Sequence, residues 1–310
     1  MKRMRLGVCL SMLVLGLFYA LHPLATRAQA ADAGAMVYGD FTGVTVDNTG
    51  WVTGASVSVS AGGTDPGNHF TFAGTAAGQA GLGFLRLSTT YNYAVTFDPY
   101  NAAKPDQYPK GTFQEIAGSS GGWAYFNDWM TVTGPQPGDP ISVNLQFDVE
   151  GKEQATAGME MSGILSFEID EGGLVYNENG DPVPYLDLWV LSGPQGPVSV
   201  KVHNAHVGDD VRFVLGITLS VGTCHLDNQT CGVGPYTGTG SLDFLGTVEL
   251  DKVVVTDPQD VVLAEFDGSG NLLPGYESSG YGLGQITPEP ATLSLMALGT
   301  LATLRRRRKM

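Results

Sequence analysis

The stretch Ile141-Ser-Val-Asn-Leu-Gln-Phe-Asp-Val149 decides the fold class of this chain. Its apolar and polar side chains alternate without a break, which is the period of a β-strand that buries one face. The same alternation returns at residues 211–221 and 242–250, and no amphipathic helical period lies between the two ends of the chain. The sequence therefore predicts an all-β fold, an antiparallel β-sandwich or jelly-roll-like domain, with Leu145 and Leu215 in its core.

Turn-forming residues separate the alternating stretches. Gly134-Pro-Gln-Pro-Gly-Asp-Pro140, Asn179-Gly-Asp-Pro182 and Gly193-Pro-Gln-Gly-Pro197 each end one predicted strand before the next begins. Residues 101–122 are also rich in Pro, Gly and Ser. They form either a linker between two β subdomains or a long loop within one domain.

The first 30 residues have the three parts of a secretory signal peptide. Basic residues near the start precede an apolar run at 6–21, and Ala28-Gln-Ala30 places small residues at the two positions that signal peptidase recognises. The run has about 16 residues, fewer than the ~20 of a membrane-spanning helix. We predict a signal peptide over 1–30, a mature chain that begins at Ala31, and an extracytoplasmic domain over 31–287.

The predicted domain is strongly acidic. It keeps only seven of the 16 basic residues of the chain but 30 of the 31 acidic ones. Such a charge repels phosphate backbones and anionic lipid, so we expect no nucleic-acid partner. Solubility outside the cell explains the charge, and weak Ca²⁺ association with surface carboxylates is the alternative. We expect no cofactor.

Two cysteines remain once the signal peptide, with Cys9, is removed. Cys224 and Cys231 flank a polar, loop-like segment in an exported chain, which favours a disulfide between them. A zinc site is the alternative, but thiolate pairs in zinc ribbons usually lie two to four residues apart.

The C-terminal end has three parts in a fixed order. Pro288-Glu-Pro290 comes first, an uncharged apolar run follows at 291–304, and a basic cluster closes it. An apolar helix followed by basic residues inserts with the basic residues on the cytoplasmic side, which leaves the domain on the other side. The run has about 14 residues, or ~21 Å of helix, which is short for the hydrocarbon core. We predict a short transmembrane helix whose stop-transfer cluster is Arg305, Arg306, Arg307, Arg308 and Lys309.

This arrangement resembles the PEP-CTERM sorting signal of Gram-negative bacteria over residues 288–310. The resemblance implies that an exosortase, an integral-membrane sorting enzyme, cuts the tail at or near Pro288, Glu289 and Pro290. It also implies transient anchoring in the cytoplasmic membrane, then release or attachment at the cell surface, in bacteria that make exopolysaccharide and biofilms. The implied partners are signal peptidase and exosortase, and an extracellular polysaccharide is a further candidate.

One acidic segment resembles the active-site strand of laminarinase-type glycosidases. Glu168 and Asp170 share one strand face, as the carboxylates of such enzymes do. The third acid of the E-x-D-x-E pattern is missing, because position 172 is Gly. We therefore expect no enzymatic activity and assign no catalytic residue.

Two other clusters invite a metal-site interpretation. His203, His206, Asp209 and Asp210 have ligand-type side chains, but their spacing suits a helix whereas the segment has the pattern of a strand end and turn. Asp267-Gly-Ser-Gly-Asn271 matches half of a calcium loop and equally a hairpin turn, which we favour. We assign no metal site.

Aromatic residues give the remaining hint of a ligand. Trp123, Tyr125, Trp129 and Trp189 could stack on sugar rings if they share an exposed cleft, although aromatic residues at strand spacing more often belong to a core. The leading hypothesis is thus an exported, non-enzymatic surface or extracellular-matrix protein. A glycan-binding module is the alternative, and a carbohydrate-active enzyme is the third.

Overall fold

A computed structural model describes residues 30–81, 83–99, 113–156, 158–169, 174–176, 182–183, 185–189, 196–276 and 279–285. The described residues form strands, turns and bends and contain no helix. The strands are β1 (Ala30–Phe41), β2 (Val44–Asn48), β3 (Val52–Gly54), β4 (Ser56–Thr64), β5 (Phe70–Gly81), β6 (Phe84–Phe97), β7 (Glu115–Thr133), β8 (Pro140–Ala155), β9 (Glu160–Ile169), β10 (Leu174–Tyr176), β11 (Pro182–Val183), β12 (Tyr185–Trp189), β13 (Gly196–His206), β14 (Asp210–Asp227), β15 (Gly234–Thr256), β16 (Val262–Asp267) and β17 (Gly282–Gln285).

The strands form two antiparallel sheets. Sheet A has eight strands in the order β12-β9-β14-β7-β1-β2, with β3 paired to β1 and β17 paired to β7. Sheet B has nine strands in the order β11-β10-β13-β8-β15-β6-β5-β4, with β16 paired to β15. From β6 to β9 the chain changes sheet at every connection, so neighbours in sequence pack face to face. The predicted all-β antiparallel sandwich is confirmed.

The core lies between the two sheets and follows the alternation in the sequence. Leu145 on β8 and Leu215 on β14 are both fully buried, as predicted. Phe147 of sheet B meets Phe167 of sheet A, with ring centroids 6.0 Å apart. Phe167 in turn stacks on Phe213 at 5.7 Å.

At β7 the sheets approach closely because its inward side chains are small. Gly118, Ser120, Gly122 and Ala124 all face the core. A Cβ added to Gly118 would overlap the phenol oxygen of Tyr91, which reaches across from sheet B. Gly118 thus provides the space that the Tyr91 ring fills, and burial raises the pKa of that phenol well above its usual range.

A buried hydrogen-bond chain ties the sheets together beside this contact. Thr89 Oγ1 on β6 donates to Ser120 Oγ at 2.7 Å, and Ser120 Oγ donates to the Thr75 carbonyl oxygen on β5 at 2.6 Å. An unpaired buried hydroxyl costs free energy, so these two hydrogen bonds favour one position of β7 against sheet B.

A second buried polar group joins the two ends of the β6–β7 connection. The fully buried Gln114 accepts the Asp98 N–H at 2.8 Å through Oε1 and donates to Asp98 Oδ2 at 3.2 Å. Asn228, in the turn after β14, accepts the Gln114 N–H at 3.0 Å. Of the segment considered as an internal boundary, residues 115–122 belong to β7 and residues 101–112 lie outside the described part of the chain.

Three predictions fall partly or wholly outside the described residues. Residues 1–29 of the predicted signal peptide, including Ala28, lie outside the described residues, and its last residue, Ala30, is the first residue of β1. The sorting tail and its short helix follow Gln285, where β17 ends. Within the part of the chain that the structure describes, no helix is long and apolar enough to cross a membrane.

We expect Gly118→Ala to destabilise the domain by about 1–3 kcal/mol, because the new methyl group forces the Tyr91 ring or β7 to move. Gly284→Ala on β17 is the matched control, since its Cβ would lie 3.9 Å from the nearest atom, the Thr131 carbonyl oxygen. That control should change the free energy of unfolding by less than about 0.5 kcal/mol. Urea unfolding measures both, and equal stability of the two variants would contradict the close approach at β7.

Candidate functional site

The outward side of β7 carries the most distinctive side chains of sheet A. Ala124 and Phe126 are fully buried against sheet B. Because side chains alternate along a strand, Trp123, Tyr125 and Asn127 face the opposite way, away from the core. All three are half-buried. The two aromatic residues are therefore surface residues of sheet A and not part of the core.

The Trp123 and Tyr125 rings lie side by side on this surface. Their centroids are 5.6 Å apart and their planes differ by 24°. The Trp123 indole also covers Gly34 on the neighbouring strand β1, where an added Cβ would lie 2.5 Å from Cε2 of the indole. Because position 34 has no side chain, the indole can pack directly on the backbone of β1.

A carboxylate accompanies the ring pair on β1. Asp32 is the register partner of Tyr125, and its Oδ1 accepts the N–H of Ala33 at 3.0 Å. Burial raises the pKa of Tyr125, and the negative charge of Asp32 raises it further. The phenol therefore stays protonated at neutral pH and keeps its hydrogen-bond donor.

On the other side of β7, small and polar residues continue the surface. Gly216 and Thr218 on β14 pair with Tyr125 and Trp123. Ser166 on β9 follows opposite Gly216, and Glu168 lies two residues further along β9. We call this outward surface of sheet A, made of Asp32, Gly34, Trp123, Tyr125, Asn127, Ser166, Glu168, Gly216 and Thr218, the ring face.

The structure brings together part of the predicted aromatic set. Trp123 and Tyr125 are neighbours, and Trp129 follows them on β7. Trp189 lies on β12, opposite Ile164 of β9. The side chains of Trp129 and Trp189 lie outside the described part of the structure.

The acidic segment resembling a glycosidase strand is only partly described. Glu168 is half-buried near the end of β9 and faces outward, since Phe167 beside it is buried. Asp170 and Glu171 lie outside the described residues. The expected absence of catalysis stays a prediction.

The histidine cluster forms a hairpin turn between β13 and β14. His206 Nδ1 lies 3.1 Å from Asp209 Oδ2, which also accepts the His206 N–H at 2.9 Å. Asp210 Oδ1 accepts the Thr131 hydroxyl at 2.8 Å. Burial, and then the nearby Lys201, lower the pKa of His203, against a smaller opposite effect of Asp260. Among the described residues, no group of three or more His, Cys, Asp or Glu side chains is placed to hold a metal ion.

The segment that matches half of a calcium loop is a turn, as we favoured. Asp267 Oδ1 accepts the N–H groups of Ser269 and Asn271 at 3.0 and 2.8 Å. The Asn271 side chain donates to Oδ2 at 3.0 Å. These bonds, the side-chain one foremost, lower the pKa of the Asp267 carboxyl.

The predicted Cys224–Cys231 disulfide is not formed in this structure, where Cys231 is a half-buried free cysteine. Its N–H donates to the Asp227 carbonyl oxygen at 3.0 Å, in the turn after β14. The Cys224 side chain lies outside the described part. The bridge in the oxidised, exported protein therefore stays a prediction.

Three residues of or near the ring face had no signal in the sequence analysis. Gly34 and Asp32 lie in the first part of β1, where the inward residues Ala31, Ala33 and Ala35 are alanine and so give little hydrophobic contrast. Trp51 is 40% exposed just before β3, and Thr53 of that strand pairs with Gly34. Only the pairing of β1 with β7 reveals these neighbours.

Comparison with known proteins identifies the tail. A family model described as the PEP-CTERM protein-sorting motif matches residues 287–309, so the predicted sorting signal is confirmed. The chain is an exported protein with a C-terminal sorting tail, which implies processing by an exosortase-type enzyme and a place among surface proteins. A search of curated proteins gave no match.

One solved structure is similar to the domain at a low level. It is described in terms of the promiscuous specificity of carbohydrate-binding modules from the β-sandwich superfamily. The match has 12% identity and a TM-score of 0.15, and it covers 74% of this chain and 95% of the other. A TM-score of that size carries no argument about the ligand.

We expect Gly34→Ala to displace the Trp123 indole without unfolding the domain, because the new methyl group meets the movable end of a side chain. The emission spectrum of the folded protein should change, and the change should vanish in a Trp123→Phe background. Gly284→Ala serves as the control. An unchanged spectrum in Gly34→Ala would show that the indole does not lie on β1.

Proposed function

We propose that this exported protein is a non-enzymatic surface or extracellular-matrix protein whose ring face binds extracellular polysaccharide. The observation that supports this most is the Trp123–Tyr125 pair on the outside of sheet A. Tail sorting delivers the domain to the outside of the cell, where exopolysaccharide and biofilm matrix are the abundant polymers. The tail anchors the protein in the cytoplasmic membrane until it is cut.

Paired aromatic rings suit a sugar ligand for a physical reason. A pyranose ring has an apolar face of C–H groups, and an indole or phenol ring offers a matching flat surface with a polar group at its edge. Trp123 and Tyr125 are held by packing on Gly34 and by each other, so little side-chain entropy is lost on binding. The flanking Gly216, which pairs with Tyr125, adds no side chain to this surface.

The placement of the carboxylates on the ring face supports binding without catalysis. Asp32 lies on β1 and Glu168 on β9, three strand spacings apart in sheet A. At ~4.8 Å per spacing, and with an offset of two residues along the strands, their backbones are about 16 Å apart. Glycosidase carboxylates lie about 5–9.5 Å apart, so these two do not match a catalytic pair.

Removal of the indole should abolish much of the binding. We expect Trp123→Ala to weaken retention on polysaccharides by at least about tenfold, equivalent to ~1.4 kcal/mol. Phe113→Ala is the control, because Phe113 is 37% exposed but precedes β7 and lies ten residues, or about 33 Å, from Trp123 along the strand. A glycan array and pull-down on insoluble polysaccharides provide the measurement. Equal loss in both variants, or no binding by the wild type, would contradict a ring-face site.

The enzyme alternative has its own assay on the same preparations. Hydrolysis of β-glucans by the wild type should not exceed that of Glu168→Gln. Release of reducing ends that disappears in Glu168→Gln would overturn the non-enzymatic assignment.

Tail processing should fail in two different ways. Replacement of Arg305 to Lys309 by Ser removes the stop-transfer charge, so unprocessed protein should be released. Replacement of Pro288-Glu-Pro290 by Ala removes the extended, donor-poor segment that the sorting enzyme binds, so intact protein should stay in the cytoplasmic membrane. Cell fractionation and intact mass distinguish the two, and wild-type behaviour of both variants would contradict sorting through this tail.

A further inference from the structure

We propose that the ring face takes neutral polysaccharide chains and discriminates against chains that carry carboxylate or sulfate groups. This inference rests on the proposed function, because it specifies the ligand class of the same surface. It follows from the charges of sheet A and from the groups beside the two rings.

Acidic residues dominate the strands of sheet A. Among the described residues of these strands, Arg212 is the one arginine or lysine. On the outward side, carboxylates occur on four of the strands, at Asp32, Asp40, Glu115, Glu160, Glu168, Asp210 and Asp227, whereas Asp128 is buried. An anionic polymer laid across this sheet would therefore meet charges of its own sign along its length.

The nearest of these charges acts on the stacking site itself. Asp32 pairs with Tyr125 across β1 and β7. Burial raises the pKa of the Tyr125 phenol, and the negative charge of Asp32 raises it further. A ligand carboxylate seated on the Tyr125 ring would feel the same repulsion. Two like charges about 4 Å apart cost a several-fold loss of affinity even in bulk water, and more where the ligand displaces water.

The same groups are well suited to a neutral sugar. The Tyr125 phenol remains protonated and can donate to a ring or hydroxyl oxygen, while Asp32 and Glu168 can accept from sugar hydroxyls. Gly121 on β7, two residues before Trp123, carries no side chain and is half-buried, so a chain can lie close to the sheet there. The ring face therefore combines apolar stacking surface with hydroxyl acceptors and offers little to pair with an anion.

Pairs of polysaccharides with one backbone and different charge test this directly. The purified full chain is run through affinity gels that contain hydroxyethylcellulose or carboxymethylcellulose, and methyl-esterified pectin or polygalacturonate. All gels contain EDTA and about 0.1 M salt. We expect retardation by at least one neutral polymer, with an affinity at least about tenfold above that for its charged partner.

Two charge-removing variants locate the effect. Asp32→Asn should lower the ratio of the affinity for the neutral polymer to that for the charged polymer by about threefold, because it removes the charge beside Tyr125. Asp40→Asn makes the same change on the same strand but eight residues, or about 26 Å, away. At 0.1 M salt the Debye length is ~10 Å, so Asp40→Asn should leave the ratio of the two affinities unchanged.

Each other result overturns a different statement. Equal or tighter binding of a charged polymer overturns the neutral preference and leaves the proposed function intact. An identical response of Asp32→Asn and Asp40→Asn assigns the preference to net charge and overturns its origin on the ring face. Retardation by none of the polymers overturns both the inference and the proposed function.

Discussion

The close approach of the two sheets at β7 is the constraint on which the rest of the structure depends. Gly118, Ser120, Gly122 and Ala124 face inward along this strand, and the Tyr91 ring from sheet B occupies the space above Gly118. The Thr89–Ser120–Thr75 hydrogen-bond chain holds the contact in place without apolar bulk. Because side chains alternate, the residues that must be small lie on one side only, and β7 is free to carry large rings on the other. The two rings of the ring face thus lie on the outward side of the strand whose inward side sets the sheet spacing.

The sequence predicts strands best where apolar and polar side chains alternate clearly. Alternation at residues 141–149 and 211–221 located β8 and β14 and their buried leucines, because that signal is local. Along β7 the inward residues are Gly, Ser and Ala, so the contrast disappears and residues 115–122 resembled a linker. Whether Trp123 belongs to the core depends on which side of the sandwich it faces, and that is set by pairing with the distant strand β1. The indole packing on Gly34 is a tertiary contact that no local pattern encodes.

Several carboxylates of the domain, including that of the segment matching half of a calcium loop, stabilise turns. Asp65, Asp227 and Asp257 each accept two or more backbone N–H groups within their own turns, as Asp267 does. Such carboxylates stabilise turns, and a fold with many strands and short connections contains many of them. Asp32 and Glu168 belong to strands instead, and the sheet places Asp32 beside the rings as the register partner of Tyr125. The position of an acid within an element, more than its sequence neighbours, therefore separates turn carboxylates from those that can meet a ligand.

The two ends of the domain meet at one place on β7. β1 starts with Ala30 opposite Asn127, and β17 ends with Gln285 opposite Met130. Since Thr131 also pairs with Asp210 of β14, β17 must occupy the same edge of β7 as β1. The ends of the two strands are separated by three positions of β7, or about 10 Å. Because the strands run in the same direction, a short peptide could join Gln285 to Ala30, and new termini could open at a distant turn without changing the sandwich. The first and last strands thus lie end to end along one edge of β7, so a linker at either end of the domain leaves from the same end of the sandwich.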